Sequence, residues 1–254
     1  MSQSKKVQTF FGQNAEAYVK SNLHAKGKDL IYLVREQTEV GRLLDIATGG
    51  GHVAHAFAGL SDDITAFDLT PEILIAARNY IEGNGHKHVQ YVEGDVMNMP
   101  FTDSTYDTAI CRIAAHHFPD IQQFVNETHR VLKQNGVFWL LDNVALEDDK
   151  LDEFYNVLEK QRDTSHVRAY KKSEWLQIIE KSGFDIEQCK VFRKTFQIDD
   201  WSRRAGINEE TKHRLKQMLI KSSDHVKDFL HIEEENGSIQ SFQGQSIALK
   251  ACKR

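Results

Sequence analysis

The sequence predicts an α/β fold built on a seven-stranded, mostly parallel sheet with an antiparallel last strand, helices on both faces and helical lid inserts. Three observations predict it. Short apolar runs alternate with amphipathic stretches from residue 41 to about 192, the pattern of a parallel sheet covered on both sides. Three glycines, Gly49 to Gly51, follow the first of those runs directly. The last apolar run, Ser246 to Ala251, comes after a helical insert rather than a simple crossover helix, which lets it pair antiparallel with the sixth strand.

In chain order, residues 1 to 40 read as two helices forming an N-terminal lid. The core, residues 41 to 142, holds strands at Arg42 to Ala47, Ile64 to Asp68, Val89 to Glu93, Thr108 to Ile113 and Val137 to Asp142. Helices fall at about 51 to 59, 72 to 82 and 120 to 133. In the third of these, Ile121, Phe124, Val125, Thr128 and Leu132 follow helical spacing and turn one largely apolar face to the sheet. A helix at 173 to 182 precedes a sixth strand, Phe184 to Val191. Residues 143 to 171 and 193 to 236 interrupt the alternation as substrate-side inserts. Thr70 before Pro71 marks an N-cap and first helical position, Phe118 to Asp120 opens another helix, and Gly136 and Gly183 close two. All 254 residues form a single domain on this reading, large enough to bury about 70 to 75% of its unfolded surface.

Composition narrows the function classes. Cys111, Cys189 and Cys252 are widely spaced and form no C-x-x-C pair, so they read as reduced thiols of a cytoplasmic protein and supply no metal-ligand spacing. The first residues lack the apolar run of a signal peptide, and VFWLL is too short to span a bilayer. With 32 basic against 37 acidic residues the chain carries no phosphate-backbone footprint, so neither nucleic acid nor membrane is expected as a partner.

The stretch LLDIATGGGHVAHAFA admits two nucleotide readings. Gly49, Gly51 and Ala54 fit G-x-G-x-x-A, the dinucleotide loop, while Asp45, Gly49 and Gly51 fit most of D-x-G-x-G-x-G. Ligands of open α/β sheets bind beyond the carboxyl ends of the strands, where this turn lies, and glycine there accepts positive φ and admits close approach. Asp68 ends the second strand, where a carboxylate accepts hydrogen bonds from ribose hydroxyls. Both ligands use that position. Asp45 at the end of the first strand and Asp95 after the third have no task in the nicotinamide reading.

With LLDIATGGG, AFD, YVEGDVMNMPFTDSTYDTAICR and RVLKQNGVF in this order, the chain resembles the class I S-adenosylmethionine-dependent methyltransferases, which share a Rossmann-like fold. Within them it is similar to the small-molecule group related to quinone-biosynthesis C-methyltransferases, from about Phe10 to Gly183. CRIAAHHFPD also resembles the fourth-strand motif of a bacterial methyltransferase subgroup.

The resemblance implies S-adenosyl-L-methionine as cofactor and assigns it residues. Ala47, Gly49 and Gly51 would lie along its methionine part, with Asp45 near the amino group and the Arg112 carbonyl receiving it. Asp68 would bind the ribose, Leu69 would pack on adenine, and Asp95 with the Val96 amide would read the adenine edge. Ala47 departs from the family's first glycine. FFGQNAEAYVKSNLH resembles the segment that folds over the cofactor, with Phe11 and Tyr18 as lid residues.

A sulfonium is already an activated methyl donor, so orientation, worth about 7 to 11 kcal/mol in favourable cases, does most of the work. A general base is optional. His116 and His117 follow the fourth strand and are the candidates, with His117 preferred as the pocket residue and helix capping as the alternative. Arg162, Asp163, His166 and Arg168 in QRDTSHVRAY suit an anionic small-molecule acceptor, a solvated face being the alternative. Trp175 reads as core, and Trp201 is open between core and acceptor pocket. Two other functions stand beside methyl transfer: a nicotinamide-dependent oxidoreductase, and a non-catalytic S-adenosylmethionine-binding regulator. Whether carbon, oxygen or nitrogen is methylated, and the oligomeric state, lie beyond the sequence.

Overall fold

The computed structural model describes residues 3–19, 25, 27–37 and 39–254, without the side chains of residues 13–18. Its helices are α1 (Gln3–Val19), α2 (Lys28–Glu36), α3 (His52–Phe57), α4 (Pro71–Gly83), α5 (Ile121–Val131), α6 (Asp149–Arg162), α7 (Lys172–Lys181), α8 (Ile198–Arg204), α9 (Glu209–Ile220) and α10 (Asp224–Phe229), with a 3-10 turn at Ala115–His117. The strands are β1 (Leu43–Ile46), β2 (Ile64–Asp68), β3 (Val89–Glu93), β4 (Tyr106–Arg112), β5 (Leu132–Val144), β6 (Phe184–Gln197), β7 (Glu233–Glu235) and β8 (Ser238–Lys253).

One sheet runs β3-β2-β1-β4-β5-β8-β6, with β7 paired to β8. The first five strands are mutually parallel where they pair. The last strand pairs antiparallel with β6, as the sequence predicts, and also inserts antiparallel against β5, between the two. The strand beyond the expected seven is β7, an exposed three-glutamate segment with no apolar signature to announce it.

Every residue of β1 is buried, because helices cover both faces. Leu44 and Ile46 join Phe67, Phe124 and Phe138 on one side; Leu43 joins Ala66, Ile81 and Trp139 on the other. Asp45 shares the parity of Leu43 and so meets α3.

Three expectations shift. The helix expected at 120 to 133 stops at Val131, and Gly136 lies inside β5 rather than closing that helix. Its Cβ position would fall 2.8 Å from the Lys133 carbonyl oxygen, after Asn135 in a left-handed conformation, so the glycine serves an irregular strand entry. The sixth and last strands outrun their expected ends: Phe192 to Gln197 pair with Ser246 to Ser241. The second insert therefore begins as a β-ribbon, on which α8 and α9 bury Trp201, Leu215 and Leu219 against Phe242. The charged RK within RKTFQ hid the alternation.

Gly51 is the N-cap of α3 at φ +78, and a Cβ there would stand 2.8 Å from Ile81 Cδ1 and 3.1 Å from Ala77 Cβ on α4. Gly85 shares the positive φ, +93, but has nothing within 4 Å. Gly51→Ala is expected to cost about 2 to 4 kcal/mol, left-handed strain plus overpacking, and Gly85→Ala about 1 to 2 from strain alone. Urea unfolding of the two variants compares them directly.

Candidate active site

The turn after β1 is tied down by two carboxylates. Asp45 Oδ2 accepts from the Thr48 hydroxyl at 2.6 Å and from the Ala54 amide at 3.0 Å. Asp68 Oδ2 accepts from the Gly49 amide at 3.1 Å and Oδ1 from the Thr70 amide at 3.0 Å. This bracing carries Ala47 through φ +53 and Gly49 through φ +53. An alanine pays for the left-handed region where a glycine does not, which is the local cost of Ala47 standing at the first glycine position of D-x-G-x-G-x-G. A Cβ on Gly49 would have only the Ala47 carbonyl oxygen within 4 Å, at 3.9 Å. Gly49 thus opens onto free space and Gly51 onto packed side chains.

That space is a cavity at the carboxyl ends of β1, β2 and β4, with about 1000 Å³ of empty volume counting the open space at its mouth. Asp45, Ala47, Gly49, Asp68, Leu69, Asp95, Val96 and Arg112 line it together, with His117 and Phe11. Gly51 and His116 lie outside this lining. Tyr18 falls in α1, but its side chain lies outside the described residues. The lining residues that the sequence reading did not assign to the site include Gln3, Ser4 and Val7 of α1, and Ile113 at φ +55. A β-branched residue in that region is a genuine outlier, and here it sits where β4 leaves the sheet, its amide bonded to the Leu141 carbonyl at 2.7 Å.

Burial sets the acidity of the two bracing groups. It pushes Asp45 up to about 7 against the bonds from Thr48 and Ala54, with the Asp68 charge adding to the rise. Asp68 is pushed up to about 6, again by burial against its amide donors. Asp95 is half-buried and accepts from the Met97 amide at 2.9 Å. Arg112 places its guanidinium on Asp29 of α2, with Nε to Oδ2 at 2.8 Å and Nη2 to Oδ1 at 3.1 Å. Burial opposes the Asp29 charge, but Arg112 and Lys194 outweigh it and hold that carboxyl below its ordinary range.

The two histidines have different surroundings. His116 Nδ1 lies 2.6 Å from Asp142 Oδ1, and its amide donates to Asp142 Oδ2 at 3.0 Å. Burial works against its charge, yet Asp142 raises its pKa overall. His117 lines the cavity, meets Phe11 edge-on at 5.1 Å between centroids, and has Nδ1 3.1 Å from Ser165 Oγ. Burial and the neighbouring His116 push its pKa down to about 3, so the ring is neutral at physiological pH.

The polar cluster of the first insert folds away from the cavity. Arg162 pairs with Glu159 at 2.8 Å and lies over Trp201 at 5.0 Å; Arg168 pairs with Asp152 and Glu174 at 2.9 and 3.0 Å. His166 Nε2 meets Asn156 at 3.0 Å. Trp201 is core, against Phe242 at 5.0 Å, and Trp175 is core as expected. Sequence reasoning missed Ser165, although Asp163 two residues earlier is a ready Asx-turn signal.

A model of the methyltransferase domain matches residues 44–140. The uncharacterized methyltransferase YcgJ of Bacillus subtilis (strain 168) is 34% identical over 97% of this chain and 99% of its own. A candidate methyltransferase of Bacillus halodurans C-125, known from its crystal structure, aligns with a TM-score of 0.87 at 46% identity, covering 89% of this chain and 99% of that one. The demethylmenaquinone methyltransferase of Chlorobaculum tepidum (strain ATCC 49652 / DSM 12025 / NBRC 103806 / TLS) is 31% identical over 61% of this chain and 69% of its own.

The raised Asp45 makes stability depend on pH. A carboxyl whose folded pKa lies above its unfolded value favours the folded chain only while protonated, a contribution full below about pH 4 and lost as pH rises through about 7. Asp45→Asn keeps an acceptor for Thr48 and Ala54 without the charge. It is expected to stabilise the ligand-free protein at pH 8 by about 1 to 3 kcal/mol, with Tm rising about 2 to 4 °C per kcal/mol. At pH 4 the gain vanishes. Thermal melts at the two pH values measure both.

Proposed function

The chain belongs to the class I S-adenosylmethionine-dependent methyltransferases, and from that premise we propose that it methylates a small organic acceptor bound at the His117 end of the cavity. The observation that carries this reading is the meeting of three carboxylates, Asp45, Asp68 and Asp95, with His117 around one cavity. The relatives do not favour a nicotinamide enzyme, and Asp45 and Asp95 have no task in one.

The residues fit the cofactor. Gly49 leaves space where a Cβ would project. Asp68 would accept the ribose hydroxyls, Leu69 would pack on adenine, and Asp95 with the Val96 amide would read the adenine edge. Asp45 and the Arg112 carbonyl would take the ammonium, beside Ala47 and Gly49. Phe11 would cover the pocket and exclude water. S-adenosylmethionine supplies a methyl group already activated by its sulfonium.

His117 would accept a hydrogen bond from the acceptor's nucleophile and take its proton as the methyl arrives. Weak basicity is no obstacle for an oxygen nucleophile, which becomes strongly acidic as positive charge develops on it. Phe11, Ile113, Ala114 and Phe118 line the cavity around His117, which suits an apolar acceptor. Demethylmenaquinone, named in one relative, is of that kind. Arg162 and Arg168 are ion-paired outside the cavity, so the proposed acceptor needs no negative charge. Among the described residues no helix is long and apolar enough to cross a membrane. We place the protein in the cytoplasm, with Cys111, Cys189 and Cys252 as free thiols.

Calorimetric titration with S-adenosylmethionine, S-adenosylhomocysteine and NAD tests the reading. The two adenosyl sulfur compounds are expected to bind, NAD is not, and Asp68→Ala is expected to weaken binding at least tenfold. NAD binding alone would overturn the assignment. With an acceptor in hand, His117→Ala is expected to lower kcat about 10²- to 10⁴-fold. Full turnover in that variant would remove His117 from the chemistry, and bound cofactor that is never demethylated would favour a regulator.

A further inference from the structure

We propose that Asp163 and Ser165 form a hydroxyl relay that fixes the His117 ring as its Nδ1–H tautomer and presents Nε2 to the cavity as the lone-pair nitrogen. The inference rests on His117 being the group that meets the acceptor. It assigns positioning residues to a segment, the turn after α6, that contributes nothing to the cavity lining itself.

The argument is a count of hydrogens. Ser165 Oγ lies 2.6 Å from Asp163 Oδ1 and 3.1 Å from His117 Nδ1. A serine hydroxyl has one hydrogen and two acceptor sites, and an ionised carboxylate accepts only. Asp163 Oδ1 also accepts from the Ser165 amide at 2.8 Å; burial opposes its charge, but His117, the Ser165 hydroxyl, Arg162 and the Ser165 amide hold that carboxyl below its ordinary range. The single hydroxyl hydrogen therefore goes to Asp163. Ser165 Oγ is left to accept, and the hydrogen it accepts is on His117 Nδ1. A neutral imidazole with its hydrogen on Nδ1 carries its lone pair on Nε2.

The relay is held rigidly. Asp163 and Ser165 are 3% and 0% exposed and His117 is 7% exposed, so no bulk water competes for these bonds. The Val167 and Arg168 amides donate to the His116 carbonyl at 2.8 and 3.1 Å, docking the relay turn onto the histidine turn. Gln3 Nε2 on α1 donates to the Ser165 carbonyl at 2.6 Å and the His117 carbonyl at 3.3 Å, so the N-terminal helix clamps both turns. When the acceptor's nucleophile gains the methyl group, the proton it loses goes to Nε2. The resulting imidazolium is then balanced by the Asp163 carboxylate through Ser165, as an orienting carboxylate stabilises a histidine base in other enzymes.

The tautomer is directly observable. Full-length protein labelled with nitrogen-15 at its 12 histidines, compared with His117→Gln to identify the resonances, reports the state of each ring nitrogen. The expected wild-type spectrum at pH 7.5 has a protonated Nδ1 and a lone-pair Nε2 at His117. Ser165→Ala is expected to move His117 to a mixture or to the Nε2–H form, Ser165→Thr to restore the wild-type pattern, and Asp163→Ala, which removes the acceptor of the hydroxyl hydrogen, to follow Ser165→Ala. An Nε2–H ring in the wild type, or an unchanged tautomer in folded Ser165→Ala, overturns the relay. The wild-type measurement decides it even where a variant fails to fold. Full turnover by His117→Ala would instead overturn the base reading while leaving the tautomer result intact, so the two failures are distinguishable.

Discussion

The bracing of the β1 turn by Asp45 and Asp68 is the constraint on which the site depends. Four donors converge on these two carboxylates, three of them backbone amides and the fourth the Thr48 hydroxyl. Together they carry the chain through consecutive departures from ordinary backbone geometry at Ala47, Gly49 and Gly51. Burial charges a penalty for both groups, visible in their raised pKa values of about 7 and 6. A cationic ligand that favours their ionised forms relieves that penalty, so the same groups shape the loop and bias it toward its ligand.

The other half of the cavity is organised by a different principle. Where the cofactor side is made from strand ends, the histidine side is made from one helix and two turns that bond to one another: α1, the Ala115–His117 turn, which Asp142 ties to β5, and the turn after α6. The division separates a chemically constant task from a variable one. Strand ends fix a nucleotide with little freedom, whereas turns can change residues without disturbing the sheet.

The sequence is legible where its periodicity is. Asp45, Asp68 and Asp95 follow apolar runs that could only be strands, so their convergence at one sheet edge follows from topology. His116 and His117 are adjacent in a 3-10 turn, and no periodicity says which one faces the cavity; Asp142, distant in sequence, decides it by holding His116. Gly51 looked like a ligand glycine because motif spacing does not record what stands opposite, and what stands opposite is Ile81 and Ala77. The Asp163–Ser165 turn is local and legible, whereas its place behind His117 is not, because His117 and the side chain of Gln3 come from far along the chain. The extra length of β6 and β8 escaped because a two-stranded ribbon beyond the sheet leaves much of each strand exposed and polar.

The position of β8 bears on the order in which the chain can fold as it is made. Strands β1 to β5 pair with one another, so that part of the sheet can close progressively during synthesis. β6 has no such partner. Among the described residues it pairs along its length only with β8, which follows it by three helices and also fills the edge of β5. Until β8 leaves the ribosome, two long strand edges stand open, and such edges invite pairing with other chains. The final strand therefore shields a nascent protein from its neighbours as much as it completes a fold.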